Sequence, residues 1–259
     1  MDIFILFILG TIFGSFYNVI ICRLPYGESI VTPSSKCPQC NKKIKWYDNI
    51  PVISYLLLKG KCRYCNSSIS LQYPLIEVIT GLFSIFLYRM YGFDITFFKN
   101  FVLLSILLCA AVIDFNTALD DDFETGIIPD ELSLGGFVPG FIFALLEKKI
   151  IVSIIGAAAG FFLLFIPGFV YKLMTGKEGM GGGDIKLFAM IGSFLGFKPL
   201  FFILFASSLL GAIIGIIFIA ISRKRDYPIP FGPFIGLGTF IYIFFGNTLI
   251  NAYLKILTA

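Results

Sequence analysis

Two aspartates that adjoin hydrophobic stretches are the residues of this sequence best suited to chemistry. Asp114 follows the apolar run ending in Val112-Ile113, and Asp184 follows three glycines in Gly181-Gly182-Gly183-Asp184. A carboxylate beside a helix that spans hydrocarbon is costly, and such residues usually mark function. If the two lie together, one holds a proton near neutral pH while the other stays ionised. Such a pair can activate water and polarise a carbonyl, so the sequence predicts cleavage of peptide bonds.

Other acidic residues near these two have structural interpretations. The glycines before Asp184 allow a bound chain to come close, but an aspartate at that point can equally cap a helix. Asp130, in Ile127-Ile128-Pro129-Asp130, is interpreted as the cap of a helix, and the acidic triplet 120–122 as a solvated loop. Because the chain contains no histidine, catalysis by Ser–His or Cys–His pairs is excluded.

The composition assigns the chain to the membrane. Of its 259 residues, 58% are hydrophobic and 14% charged, against roughly 45–50% and 25% in soluble domains. The predicted fold class is an all-α polytopic membrane protein of about eight transmembrane helices, with a small cytoplasmic domain after the first. The predicted helices are 3–22, 72–91, 98–114, 131–146, 150–173, 184–197, 199–222 and 232–254. Segments 131–146 and 184–197 are short for a span of about 20 residues.

The distribution of lysine and arginine predicts the topology. Residues 23–71 carry eight of the 20 basic residues, so the positive-inside rule places this segment in the cytoplasm. Alternation through eight spans leaves fourteen basic residues inside, among them Arg223, Lys224 and Arg225, and six outside. Asp114 then ends the third span and Asp184 begins the sixth, both at the cytoplasmic face. The net charge of +4 indicates contact with the lipid bilayer rather than with nucleic acid.

Two CxxC pairs in the polar segment predict a structural zinc site. Cys37 and Cys40 are separated from Cys62 and Cys65 by 21 residues, slightly more than the roughly 15–20 usual for four-cysteine sites. Zinc with four thiolates has no open position and can fold a loop too small for its own core. Disulfides or redox-active pairs are the alternative, although a cytoplasmic location argues against stable disulfides. The predicted domains are therefore helix 1–22, zinc-binding domain 23–71 and membrane-embedded peptidase core 72–259.

Ordered motifs over nearly the whole length resemble the type IV prepilin peptidase/N-methyltransferase family, which is similar to other GxGD membrane aspartyl proteases. These motifs are Gly14-Ser15-Phe16-Tyr17-Asn18-Val19-Ile20, Arg23-Leu24-Pro25, both CxxC pairs, Trp46-Tyr47-Asp48-Asn49-Ile50-Pro51, Tyr73-Pro74-Leu75-Ile76-Glu77, Ile128-Pro129-Asp130 and Gly181-Gly182-Gly183-Asp184-Ile185-Lys186. So many motifs in the same order make a chance match very improbable.

The resemblance implies an enzyme of the bacterial inner membrane that acts at the cytoplasmic face. Such enzymes remove the short basic leader of prepilins and pseudopilins, cutting after a glycine, and then methylate the new N-terminal residue. The methyl donor is S-adenosylmethionine, and the paired cysteines bind zinc. Two alternatives stay open: a peptidase without methyltransferase activity, and a non-enzymatic membrane transporter or scaffold.

The first catalytic aspartate is where the sequence departs from the family pattern. In the family it stands eight positions before the aspartate of Ile-Pro-Asp, which points here to Asp122. The position beside the membrane points instead to Asp114, as if an eight-residue insertion had duplicated a short segment. We predict Asp114 and Asp184 as the catalytic pair, with Asp122 as the alternative to Asp114.

Overall fold

Ten α-helices account for most of the regular structure in a computed structural model that describes residues 3–222 and 230–258. They are α1 (Ile3–Arg23), α2 (Ile53–Leu57), α3 (Gln72–Tyr91), α4 (Ile95–Ala118), α5 (Asp130–Ser133), α6 (Phe137–Leu146), α7 (Ile150–Thr175), α8 (Gly182–Leu195), α9 (Lys198–Ser222) and α10 (Gly232–Thr258). The described residues form no β-strand, only two isolated bridges. Arg223, Lys224 and Arg225, which entered the charge count, lie outside the described residues.

Six of the described helices are long and apolar enough to cross a bilayer, namely α1, α3, α4, α7, α9 and α10. The other two predicted spans are shorter, since α6 has 10 residues and α8 has 14. At 1.5 Å per residue, α8 is about 21 Å long, which is less than the roughly 30 Å of a hydrocarbon core. The all-α membrane class is confirmed, whereas the count of eight spanning helices is not.

The chain forms two compact units, one up to Phe97 and one from Phe98. In the first unit, α1 packs closely on α3, because a Cβ added at Gly14 would lie 2.6 Å from the Cα of Glu77. Small residues at helix interfaces allow this approach of backbones within membranes. The segment 24–71 between the two helices contains α2 and two short 3₁₀ turns. The division into 1–22, 23–71 and 72–259 stays a prediction.

The short helix α8 is the core of the second unit. Residues 187–194 are all buried, and a helix that is apolar on every side suits an interior position. Gly156 of α7 and Gly192 of α8 approach so closely that a Cβ on either would collide with the backbone of the other. The Ser153 hydroxyl also donates a hydrogen bond of 2.6 Å to the Ser193 carbonyl. Neighbouring helices, rather than lipid, therefore surround α8.

Helix α4 continues past the point where its apolar sequence ends. The sequence predicted its end at Asp114, but the helix runs on to Ala118, about one more turn. Helix α10 lies antiparallel against it, with Gly236 near Leu107 and Ala111. Asp114 consequently sits inside the last turn of α4, facing the start of α10.

Candidate active site

The Asp114 carboxylate is held in a cradle formed by two glycines. Its side chain is buried, with the residue 4% exposed, and Oδ2 accepts a hydrogen bond of 2.8 Å from the Gly232 backbone N–H. A Cβ added at Gly232 would lie 2.7 Å from the same oxygen, and one at Gly126 would collide with Oδ1. Only glycine leaves room for the carboxylate at these two positions.

Asp184 lies in the first turn of α8, close to Asp114. The N-cap of this helix is Gly181, so Asp184 does not occupy the capping position that the sequence left open. Its Oδ1 is buried and has no hydrogen-bond partner among the described residues. Gly183, beside Asp184, and Gly232, which bonds to Asp114, both lie against Ile128, so the two carboxylates are near one another.

Ile128 fills the space around the two carboxylates. A Cβ added at Gly183 would lie 3.0 Å from the Ile128 Cβ, and one at Gly232 would lie 3.2 Å from its Cδ1. The preceding residue is fixed to α4, because the Ile127 N–H donates a hydrogen bond of 2.9 Å to the Thr117 hydroxyl. The loop after α4 thus folds back over the end of that helix and brings apolar surface to the site.

Asp122, the alternative to Asp114, is exposed in the turn after α4. Its backbone N–H donates a hydrogen bond of 3.1 Å to Asp120 Oδ1, which is typical of a surface turn. Helix α4 ends four residues before Asp122 and does not carry it into the interior. Among the predicted site residues of the second unit, the structure therefore brings together Asp114 and Asp184, and it leaves Asp122 outside.

Asp130 has a different role from the predicted helix cap. Pro129 is the N-cap of α5, and no side-chain hydrogen bond caps that helix. Asp130 Oδ1 instead forms an ion pair of 2.6 Å with the Lys186 ammonium. Lys186 lies about one turn after the start of α8. Both side chains are partly exposed, so the pair contributes at most about 1 kcal/mol to stability. Its geometric effect is to tie the end of the loop to the helix that carries Asp184.

Sequence reasoning missed the two glycines that enclose Asp114. Gly126 lies in a loop, and no sequence pattern around it indicates a role in the site. Its contact with Asp114 depends on how that loop folds back. Gly232 had a detectable signal in Pro230-Phe231-Gly232-Pro233, directly before the last apolar segment. Proline is favoured in the first turn of a helix, and a glycine beside it permits close approach of another group.

The four predicted zinc ligands converge in the first unit. The Sγ atoms of Cys37, Cys40, Cys62 and Cys65 all lie within 4.8 Å of one another. Each CxxC pair is followed directly by an asparagine with φ of 56°, Asn41 or Asn66, whose N–H donates to the carbonyl of the first cysteine of the pair. Two turns of the same kind therefore present two sulfurs each.

The geometry of this cluster suits a tetrahedral metal ion such as zinc. Zinc–sulfur bonds of about 2.3 Å place the sulfurs of a tetrahedral site about 3.8 Å apart. The Cys37 and Cys65 sulfurs, one from each pair, are separated by 3.8 Å. The Ser67 hydroxyl lies 3.1 Å from the Cys65 sulfur, where it can donate to a thiolate. With four cysteines as ligands, the role of the metal would be structural.

We expect the purified protein to contain one zinc ion per chain, and Cys37→Ser to lose it. Ser67→Ala should keep the metal but bind it about 10-fold more weakly, because a donor to a ligand sulfur is removed. Metal content by elemental mass spectrometry and competition with a chelator measure both effects. Cys109→Ser, at a buried position in α4, is the control and should retain zinc. Metal-free protein with oxidised cysteine pairs would contradict this expectation.

Known proteins match the chain over nearly its whole length. A family profile described as "Bacterial Peptidase A24 N-terminal domain" matches residues 8–91, and one described as "Type IV leader peptidase family" matches residues 101–216. The first stretch contains the four clustered cysteines, and the second contains Asp114 and Asp184.

Curated relatives from several bacteria carry the name prepilin leader peptidase/N-methyltransferase. The relative from Xanthomonas campestris pv. campestris is 35% identical over 273 residues, covering 95% of this chain and 92% of its own. That from Aeromonas salmonicida is 35% identical over 279 residues, covering 97% and 93%. That from Bacillus subtilis is 36% identical over 255 residues, covering 97% of both chains. No solved structure matches the chain significantly.

Proposed function

Because the chain belongs to the type IV prepilin leader peptidase/N-methyltransferase family, we propose that it removes the leader peptide of type IV prepilins and pseudopilins and then methylates the new amino terminus. The cut follows a glycine, as the family resemblance implies. The observation that carries the peptidase assignment is the proximity of the buried Asp114 carboxylate and the half-buried Asp184 carboxylate, from different helices of the second unit. Their catalytic role is part of the proposal.

The contacts of the two carboxylates suggest which one acts as the general base and which one as the general acid. Asp114 Oδ2 is occupied as an acceptor by the Gly232 N–H, so Oδ1 remains to take a proton from water. Two neighbouring carboxyl groups share one proton near neutral pH, and we assign it to Asp184, whose buried Oδ1 has no hydrogen-bond partner among the described residues. Asp184 then donates its proton to the scissile carbonyl while Asp114 activates the attacking water. No histidine or metal ion is needed for these steps.

Cleavage should decline as the pH rises above neutral. Asp184 acts as the acid, and deprotonation removes the proton that it must donate. Two neighbouring carboxyl groups share one proton near neutral pH and lose it at higher pH. The pH profile of kcat/KM for a prepilin peptide measures this decrease, which belongs to the coupled pair. Cleavage that stays constant to about pH 9 would contradict the assignment of Asp184 as the acid.

We also propose that the segments containing α6 and α8 return the chain through the membrane, so that the topology has eight passes. Lys99, near the start of α4, forms an ion pair of 2.5 Å with Glu147, just after α6. The end of α6 therefore lies near the end of α4 that is opposite Asp114, which supports this topology. The start of α7 meets the end of α8 at the Ser153–Ser193 hydrogen bond. Asp184, at the opposite end of α8, then returns to the level of Asp114.

The proposed orientation places both aspartates at the cytoplasmic face of a bacterial inner membrane. The eight basic residues of 23–71 favour the cytoplasm for this segment. From there, α3 runs outward and α4 returns inward, so the Asp114 end of α4 faces the cytoplasm. The prepilin leader, which is basic in the family, would meet the enzyme on this side.

The methyl donor implied by the resemblance is S-adenosylmethionine, which supplies an electrophilic methyl group when bound. The relatives' names include N-methyltransferase, which supports this activity for the present chain. The part of the chain that the structure describes has no strand, so it contains no strand-to-helix glycine turn of the dinucleotide-binding kind.

The experiment that tests the proposal follows both reactions in one sample. The protein, reconstituted in lipid nanodiscs, is incubated with S-adenosylmethionine and a prepilin segment that includes the leader and the first hydrophobic stretch. Mass spectrometry should detect the free leader and a mature segment that carries one methyl group. An unmethylated mature segment would identify a peptidase without methyltransferase activity. An intact substrate would favour the transporter or scaffold alternative.

A further inference from the structure

The first unit contains a buried carboxylate that the peptidase reaction does not use. Glu77 lies in the second turn of α3 and is 7% exposed. Its Cα packs directly against Gly14 of α1, so the position of its backbone is fixed by the helix pair. A buried carboxylate without a metal or cation is costly, which calls for a reason for its presence.

The Glu77 carboxylate holds a strained turn of the zinc-binding segment. Its Oε2 accepts a hydrogen bond of 2.7 Å from the Val52 N–H. Val52 has φ of 59°, and the next N–H, of Ile53, bonds back to the Pro51 carbonyl at 2.6 Å. This γ-turn geometry is rare and strained, especially for a β-branched residue. Strain of this kind clusters at functional sites.

A second buried acceptor lies one helical turn away on the facing helix. Asn18 of α1 is 2% exposed, and its Nδ2 donates to the carbonyls of Gly14 and Tyr73. Tyr73 precedes Glu77 by one turn of α3, so both groups belong to the same α1–α3 interface. Asn18 Oδ1 has no hydrogen-bond partner among the described residues. Buried acceptors without a donor are rare in folded proteins, and this one points to a ligand that donates.

We propose that Glu77 and Asn18 receive the amino terminus of the cleaved pilin, and that Glu77 takes its proton before methylation. Both groups offer oxygen acceptors and one carries negative charge, which matches an ammonium group. The inference rests on the proposed function, because only leader removal creates this ammonium. The two peptidase carboxylates are assigned to hydrolysis, and the proposed acceptor is a different carboxylate.

The methylation step requires such a proton acceptor. The ammonium nitrogen has no free lone pair until one proton leaves, and that proton moves to the Glu77 carboxylate. The nitrogen then forms a bond to the donor's methyl carbon while the carbon–sulfur bond breaks, and the electron pair of that bond remains on sulfur. A positioned base typically contributes about 10²-fold or more to such a reaction.

The test uses Glu77→Gln, which has an oxygen acceptor for the Val52 N–H but replaces the charged carboxylate with a neutral amide that cannot take the proton. Thr80→Val is the matched control, because Thr80 is buried one turn along the same helix and its hydroxyl donates a hydrogen bond to the Ile76 carbonyl of that helix. We expect Glu77→Gln to cleave prepilin within about twofold of wild type but to methylate at least about 100-fold more slowly. Thr80→Val should retain both reactions.

Binding of the mature segment provides a readout that needs no methyl donor. Wild-type protein should bind a mature segment with a free amino terminus more tightly than the same segment with an acetylated one, and Glu77→Gln should bind the two equally. Unchanged methylation in Glu77→Gln would overturn the proposal, and so would an equal loss of cleavage and methylation, which indicates a purely structural role. A wild-type enzyme that produces no methylated segment would instead refute the proposed methyltransferase function.

Discussion

Asp114→Asn and Asp184→Asn are each expected to lower prepilin cleavage by at least about 10⁴-fold, which is the scale for removing a member of a catalytic unit. Asp122→Asn should stay within about twofold of wild type, since an exposed side chain away from the reacting groups contributes little to catalysis. The physical reason is that the reaction needs one carboxylate to accept a proton and a second to donate one. Initial rates of leader release from a reconstituted substrate measure all three variants.

Asp122 is a well-matched control because it shares much of its local sequence with Asp114. Both aspartates are followed by phenylalanine and both have a threonine three positions on, but only Asp114 is buried beside Asp184. Zinc content and thermal unfolding of the asparagine variants show whether the fold is kept. An inactive Asp122→Asn together with an active Asp114→Asn would reverse the assignment of the first catalytic aspartate.

Gly126→Ala is expected to reduce cleavage by at least about 100-fold, because a displacement of about 1 Å in a reacting group can cost this much. The added methyl group would collide with Asp114 Oδ1, the oxygen that we assign to the attacking water. Gly232→Ala should have a similar effect through Oδ2, although its methyl group is slightly less crowded. kcat should fall in both variants, since the carboxylate is moved rather than the substrate-binding surface.

Gly182→Ala tests whether the loss is specific to the cradle around Asp114. Gly182 belongs to the same glycine-rich stretch as Asp184, but a Cβ at this position would meet nothing within 4 Å. Alanine also favours the helix that begins there, so activity should stay within about twofold of wild type. Equal losses in Gly182→Ala and Gly126→Ala would show that general disturbance of the glycine-rich segments, rather than contact with Asp114, causes the effect.

The hydrophobic pattern of the sequence was sufficient to predict most helices. The starts of α3, α7 and α10 agree with the predicted segments, because long apolar runs leave little choice of position. The end of α4 was less predictable, since Phe115-Asn116-Thr117 is polar enough to read as a loop. Thr117 bonds to the Ile113 carbonyl within the helix, and this bond accompanies the extra turn.

Contacts between distant residues explain what the sequence did not predict. Helix α8 is shorter than a membrane span, and neighbouring helices surround it. This packing depends on close glycine contacts between α8 and α7, which the sequence pattern does not show. The bond from Gly232 to Asp114 joins residues 118 positions apart, which no local pattern can reveal. The cysteine cluster was easier to predict, because repeated CxxC spacing itself encodes the two turns that carry the ligands.

The most direct test of the catalytic pair measures how much one hydroxyl group of a bound inhibitor peptide adds to its affinity for the enzyme. A leader peptide in which a hydroxyethylene replaces the scissile amide is compared with the same peptide lacking the hydroxyl, by calorimetry in nanodiscs. A hydroxyl that bonds to a charged group should improve binding by about 10-fold or more. We expect this gain in wild type and Asp122→Asn, and its loss in Asp114→Asn and in Asp184→Asn. A gain that survives in either of the last two variants would contradict a shared site for the two carboxylates.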